Sequence, residues 1–199
     1  MAKILERVKD IILNPKATWQ IIKDEPVDIK SLYLNYIAPL ALIPAICSFI
    51  GMTLIGIRIP TGAVIRAPLI GSLVSGVVGY ALNLVGVLIG AWIVKLLAPT
   101  FNSKADLDEA LKLVAYSLTP MWLVGVFSLV PGLGILSILG LYGIYLLAIG
   151  LTPVLGTPEE KVVWYTIAII LIGIVVSFIL SAIVYGAFYG PMYMQMMAI

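Results

Sequence analysis

The stretch Val114-Ala115-Tyr116-Ser117-Leu118-Thr119-Pro120-Met121-Trp122, the corner Pro131-Gly132-Leu133-Gly134 and the return Leu141-Tyr142-Gly143-Ile144-Tyr145-Leu146-Leu147 decide how this chain is read. They lie within the stretch from Leu111 to Leu151, two apolar arms joined at a corner whose proline cannot continue a helix. Hydroxyls, prolines and glycines gather here, inside sequence otherwise apolar enough to lie in lipid. The spacing predicts a transmembrane helical hairpin at the centre of a small membrane protein.

Working outward, the composition supports that reading. Of 199 residues, 62% are hydrophobic and 11% charged, whereas soluble domains are about half apolar and about a quarter charged. A soluble chain of this length could not hide so much apolar side chain, so the bilayer must take the excess. The net charge of +2 gives no basis for nucleic-acid binding. Cys47 has no partner for an intrachain disulfide and reads as a small buried apolar side chain. The chain has no histidine. These absences remove zinc sites, Ser-His and Cys-His nucleophile pairs and histidine proton relays, and no cofactor is expected. The N-terminus lacks the pattern of a cleavable signal, so the first span is expected to direct insertion.

Residues Lys3 to Leu13 form an amphipathic helix candidate, with Ile4, Leu5, Val8, Ile11 and Ile12 on one face. It is too short and too charged to span and is expected at the membrane surface or on the end of the bundle. Asn14-Pro15 restarts the chain into a second short helix to Asp24, with Trp19, Ile21 and Ile22 as apolar contacts. Residues 1–30 thus form an N-terminal amphipathic segment. Five spans follow, at about 32–57, 69–97, 110–130, 133–151 and 162–188, within a domain covering 31–190; residues 191–199 are left as a short tail. The predicted fold is an all-α bundle of five transmembrane helices.

Charge placement sets an expected orientation. Lys3, Arg7, Lys9, Lys16, Lys23 and Lys30 precede the first span. Lys95, Lys104, Lys112 and Lys161 flank connections on the same side of a five-span chain, and only Arg58 and Arg66 lie opposite. Lys/Arg excess marks the cytoplasmic face, which places the N-terminus inside and the C-terminus outside. The acidic clusters Asp106-Leu107-Asp108-Glu109 and Thr157-Pro158-Glu159-Glu160 have helix-start spacing and need no metal to explain them.

No acidic residue falls inside a span, which argues against ion coupling through intramembrane carboxylates. The polar groups at depth are mild: Asn83, Tyr116, Ser117, Thr119, Tyr142 and Tyr145. If the arms are antiparallel, Tyr142 and Tyr145 approach the level of Met121 and Ser117, and a hydroxyl cluster with Tyr116, Ser117 and Asn83 is feasible. Structural bonding between helices is the simpler reading of it; a conduit or ligand pocket is the alternative. Gly71, Ser75 and Gly79 form a small-residue stripe on the second span, and Gly173, Ser177 and Ser181 form one on the fifth. Such stripes serve helix packing within the chain or a homo-oligomer seam. Pro39, Pro44 and Pro120 are expected to kink the first and third spans.

The arm Ala115-Tyr116-Ser117-Leu118-Thr119-Pro120, the corner Pro131-Gly132-Leu133-Gly134 and the return Leu141-Tyr142-Gly143-Ile144-Tyr145 resemble the Yip1 family in its prokaryotic branch. The start, Glu6-Arg7-Val8-Lys9 to Asn14-Pro15 and Trp19, is similar to the same branch, as is Thr157-Pro158-Glu159-Glu160-Lys161. The resemblance implies a five-span membrane protein with a cytoplasmic N-terminus. Its eukaryotic members act in vesicle traffic and associate with prenylated Rab-type GTPases and with one another. This chain lacks their longer hydrophilic N-terminal region and its Asp-Leu-Tyr-Gly-Pro type motif, with Asp28 and Leu32-Tyr33 as the nearest remnant, which argues against Rab-type GTPase binding. The leading expectation is a non-enzymatic membrane adaptor or organising protein that meets lipid or a cytoplasmic partner through its N-terminal helices. The alternative is a transporter or channel for a small solute or lipid, lined by the hydroxyl cluster. No nucleophile-base pair, metal ligand set or phosphate loop supports an enzyme.

Overall fold

The computed structural model describes residues 2–26, 28–59 and 62–197, with side chains from residue 3 to residue 182 of those ranges. Two short helices, α1 (Ala2–Leu13) and α2 (Pro15–Asp24), lead into five apolar helical spans. The spans cover Ile29–Ile55, Leu69–Phe101, Leu107–Leu129 and Leu133–Leu155, and the fifth begins at Glu159. This is the all-α, five-span bundle that the apolar composition required.

Helix starts follow local chemistry. Asp28 caps the first span by accepting from the Lys30 N–H at 3.1 Å, and Glu109 accepts the Asp106 N–H at 3.2 Å at the start of the third. The Thr157 motif works differently from its spacing. Its hydroxyl is buried and exchanges a hydrogen bond with Ser103 Oγ at 2.8 Å. It ties the two loops on that side of the bundle together rather than capping the fifth span.

The spans are less regular than the sequence implies. In the first, Pro39 follows a π-helical stretch, Tyr33–Ile37, and Pro44 sits within the α-helix Ala38–Ile50. A widened turn is one way to accommodate a ring that would clash with the preceding turn's carbonyl. The first span stops at Ile55, short of the expected 57, because Gly56 turns the chain with φ +76°. Beyond it Ile57–Arg58 (β1) pairs antiparallel with Val64–Ile65 (β2), Ile57 opposite Ile65. The third span runs as α-helix through Ser117, restarts over Thr119–Val124 with Pro120 in its first turn, and tightens to a 3₁₀ helix over Gly125–Leu129. The fourth was expected to be one helix from Leu133. Instead it is 3₁₀ from Leu133 to Leu141 and α-helical only over Tyr142–Leu155. Gly134 and Gly140 lower helix propensity there, and the two 3₁₀ segments pack against each other across the Pro131 corner. The last helix continues to Met197, so positions 191–197 of the expected tail are helical; positions 198–199 lie outside the described residues.

The core is concentrated at one end of the bundle. Ile11, Trp19, Ile22, Leu111, Leu113, Leu146, Leu151 and Tyr165 are completely enclosed there. Toward the other end the spans present Ile70, Ile135 and Phe178 outward, as lipid-facing surfaces do. The N-terminal hairpin is therefore not a loose attachment on the surface. The inward sides of α1 and α2 form part of the enclosed core, against the third and fourth spans.

Candidate functional site

The site is built where α1 and α2 enter the bundle. Tyr116, from the third span, is its centre. The Trp19 ring meets it edge-on at 6.2 Å, the Tyr36 ring lies tilted against it at 4.7 Å, and the Arg7 guanidinium sits 5.9 Å from its centroid. Edge-to-face and cation–π geometries of this kind each add about 0.5–1.5 kcal/mol beyond burial. Arg7 also forms an ion pair with Glu25, which follows α2. Tyr36 shares a hydrogen bond of 2.7 Å with Thr119 Oγ1. Beside these groups lies a cavity of about 300 Å³, edged by Lys3, Arg7, Asp28, Asn35 and Lys112.

Lys112 is only 6% exposed and has no carboxylate bonded to it among the described residues. Its Nζ donates instead to the carbonyls of Ile22 at 2.8 Å and Glu25, with Lys23 O at 3.4 Å. These carbonyls lie at the end of α2, that of Ile22 also accepting the Glu25 N–H at 3.3 Å, and a cation is favoured there by the helix dipole. The end of α1 is served in the same way, since Tyr142 Oη donates to Ile12 O at 3.0 Å. Both helices of the N-terminal hairpin are thus fastened by side chains from distant spans. Replacing Lys112 with methionine is expected to cost about 1.5–3 kcal/mol, the worth of hydrogen bonds to a charged group. Unfolding of the detergent-solubilised protein measures this, and a loss below about 0.5 kcal/mol would show that water replaces the ammonium.

The residues singled out from sequence do not form one cluster. Asn83 Oδ1 accepts from Trp122 Nε1 at 3.1 Å, tying the second span to the third. Tyr116 and Thr119 join the site through Tyr36. Tyr142 turns to Ile12, and Tyr145 stacks near it at 5.4 Å while remaining 43% exposed. Ser117 is buried, and its Oγ has no hydrogen-bond partner among the described residues. The feasible hydroxyl cluster is thereby divided among separate helix contacts: Asn83 and Thr119 take partners on other spans, Trp122 and Tyr36, and only Tyr142 bonds the hairpin.

The small-residue stripes edge two grooves. Gly71, Ser75 and Gly79 edge a groove of about 800 Å³ between the first and second spans. Gly173, Ser177 and Ser181 edge one of about 630 Å³ among the second to fifth spans. A Cβ on Gly71, Gly79 or Gly173 would meet nothing within 4 Å, so among the described residues these are not places where helices touch. Close approach occurs at Gly125 against Pro44, at Gly143 against the Ser117 carbonyl and at Gly150 against Trp19.

Sequence reasoning missed Arg7, Lys112, Tyr33, Tyr36, Tyr80 and Tyr165 as structural bonds. Tyr33 and Tyr80 bond Leu84 O and Ala38 O across the first two spans, and Tyr165 bonds Val94 O. One signal was present: Lys112 stands in the apolar run Leu111-Lys112-Leu113-Val114, where a cation must find partners. Among the described residues, no group of three or more acidic or cysteine side chains is placed to hold a metal.

Five long apolar helices with a charged hairpin fastened at one end define a multi-pass integral membrane protein. The chain belongs to the Yip1 family: the Yip1 domain matches residues 9–192. It is similar to the inner membrane protein YohC from two strains of Escherichia coli, 26% identical over 183 residues, which cover 90% of this chain and 94% of that protein. No solved structure matches it.

Proposed function

We propose that this Yip1-family protein is a non-enzymatic membrane adaptor, with the α1–α2 hairpin and the loops beside it on the cytoplasmic face and the C-terminus on the other. The supporting observation is the two-sided hairpin. Ile11, Trp19 and Ile22 anchor it in the core, while Leu5, Leu13 and Ile21 stand 56–70% exposed among Lys9, Lys16 and Lys23. A held surface of apolar and basic side chains suits anionic headgroups or a cytoplasmic protein partner. The orientation rests on the lysine and arginine distribution, with Arg58 and Arg66 alone on the opposite side.

A conduit has less support. The hydroxyls that would line it are engaged between helices, Thr119 with Tyr36 and Tyr142 with Ile12 O.

The test changes the outward side chains and leaves the inward ones. The combined variant Leu5→Gln, Leu13→Gln, Ile21→Gln is expected to keep its melting temperature while losing co-purifying partners or its effect on liposome shape. If both readouts match the unaltered protein, the adaptor reading fails. Orientation is checked separately in a Cys47→Ala background. A cysteine at Gln20 is expected to react with an impermeant maleimide only from the cytoplasmic side, and one at Arg58 only from the outer side; the reverse pattern inverts the topology.

A further inference from the structure

We propose that the cavity between α1 and the start of the first span binds a phosphate group, carried by a phospholipid headgroup or by a soluble phosphate. The Tyr116 hydroxyl and the Arg7 guanidinium are the donors that hold it.

The first observation is a hydroxyl left without a bond. Tyr116 is 8% exposed, packed by Trp19 and Tyr36, with Arg7 over its ring. A tyrosine this enclosed usually finds a partner for its hydroxyl. Tyr33, Tyr36, Tyr80, Tyr142 and Tyr165 all do so in this chain. The Tyr116 hydroxyl bonds nothing among the described residues. It differs from Trp19 Nε1 and Ser117 Oγ, the described polar atoms that are unpartnered and also sealed from water. The Tyr116 oxygen keeps an open side, and Tyr116 lines this cavity.

The second observation is charge. Lys3, Arg7 and Lys112 edge the cavity against two carboxylates, Glu25 and Asp28. Glu25 is engaged by Arg7, and Asp28 accepts the Lys30 N–H at 3.1 Å where it caps the first span. One positive charge is left over. Lys112 gives its protons to backbone carbonyls, so it acts on an anion through its field alone. Arg7 has donors to spare: Nη2 meets Glu25, while Nε and Nη1 bond nothing among the described residues. A guanidinium fixed by one carboxylate presents its remaining edge to a second oxyanion, and phosphate matches that fork.

Shape and depth come third. The donors stand on three elements, with Lys3 and Arg7 on α1, Ser31 and Asn35 on the first span and Tyr116 on the third. Donors spread in this way suit a tetrahedral anion better than a planar carboxylate. The volume of about 300 Å³ has room for a headgroup. Lys3, Asp28 and Lys30 are exposed around it, and such charges do not lie in hydrocarbon. The cavity therefore sits at headgroup level. The outward face of Leu5, Leu13 and Ile21 takes no part, so this site and the adaptor reading can fail separately.

The experiment uses the full chain in a phosphate-free maltoside detergent. In one arm inorganic phosphate is titrated by calorimetry. In the other, phosphatidylglycerol or a diacylglycerol with the same acyl chains is added, and bound lipid is counted by native mass spectrometry. Tyr116→Phe keeps the ring and its packing and removes only the hydroxyl. It is expected to weaken phosphate binding about tenfold, with the melting temperature of the ligand-free protein unchanged. Lys3→Gln, at an exposed position outside the core, is expected to weaken it about twofold to threefold. Phosphatidylglycerol retained above diacylglycerol, and lost in both variants, assigns the site to a headgroup. Inorganic phosphate that binds and responds to both variants, with no such lipid preference, assigns it to a soluble phosphate. The proposal is overturned if inorganic phosphate does not bind and phosphatidylglycerol is retained no better than diacylglycerol, or if Tyr116→Phe leaves both arms unchanged. A Tyr116→Phe variant that melts markedly lower without ligand also overturns it, because the hydroxyl then has its partner within the fold.

Discussion

Replacing Trp19 with alanine is expected to destabilise the bundle by about 3–5 kcal/mol, the range for removing an enclosed tryptophan. The residue is fully buried at the point where α2 meets the third and fourth spans. Its ring supports Tyr116 edge-on and fits the space left by Gly150, where a Cβ would come within 2.8 Å of two ring atoms and 2.6 Å of Leu113 Cδ1. Alanine would leave a cavity that rigid helices cannot close. The loss is read from SDS-induced unfolding of the detergent-solubilised protein. Gly150 supplies the check on the cause. Gly150→Ala alone should be costly, but in a Trp19→Ala background only one of the three nearest atoms, the mobile end of Leu113, still opposes the new methyl. The two changes should therefore be non-additive by about 0.5–3 kcal/mol. Strict additivity would mean that Trp19 does not fill the space over Gly150.

This result bears on how the function can be tested. Deleting the N-terminal segment looks like the direct way to ask whether it recruits a partner. Such a deletion also removes Ile11, Trp19 and Ile22 from the core and strips Lys112 and Tyr142 of the carbonyls they bond. Loss of activity after truncation would then report a damaged bundle. Substitutions at Leu5, Leu13 and Ile21 separate the two effects because they leave the inward face intact.

Much of the fold was legible because the bilayer imposes a strong, one-dimensional constraint. A span needs about 20 apolar residues, and counting them along the chain located five helices. Their interiors were less legible. The 3₁₀ run Leu133–Leu141 is as apolar as an α-helix, and hydropathy carries no signal for how tightly a helix is wound. The site was legible in its residues but not in its partners. Tyr116, Thr119 and Asn83 were visible as polar groups at depth, but their partners Tyr36 and Trp122 come from segments far away in sequence. Lys112 was counted as a flanking positive charge, whereas its main contacts are three backbone carbonyls. Periodicity left the role of the glycines open, since a four-residue repeat shows which glycines share a helix face but not what lies opposite.

The last prediction uses that difference directly. Gly143→Ala is expected to destabilise the protein by about 1–3 kcal/mol or more, as overpacking does, while Gly173→Ala should be neutral or slightly stabilising. Gly143 lies where the fourth span crosses the third, and its Cβ would stand 2.5 Å from the Ser117 backbone carbonyl oxygen. That oxygen belongs to a helix and cannot rotate away, so the two spans must separate. Their separation would loosen Tyr142, which is adjacent to Gly143 and holds the end of α1. The damage should therefore reach the hairpin and appear as faster proteolysis within residues 2–26. Gly173 belongs to the regular small-residue stripe, and its Cβ would enter open space. Alanine there adds helix propensity worth up to about 1 kcal/mol in an aqueous helix. Equal loss at both positions would mean that the stripe on the fifth span packs against a surface within the folded protein, and the open groove would have to be abandoned. Loss at Gly143 alone, accompanied by cleavage of α1, would locate the main coupling between hairpin and membrane bundle at the crossing of the third and fourth spans.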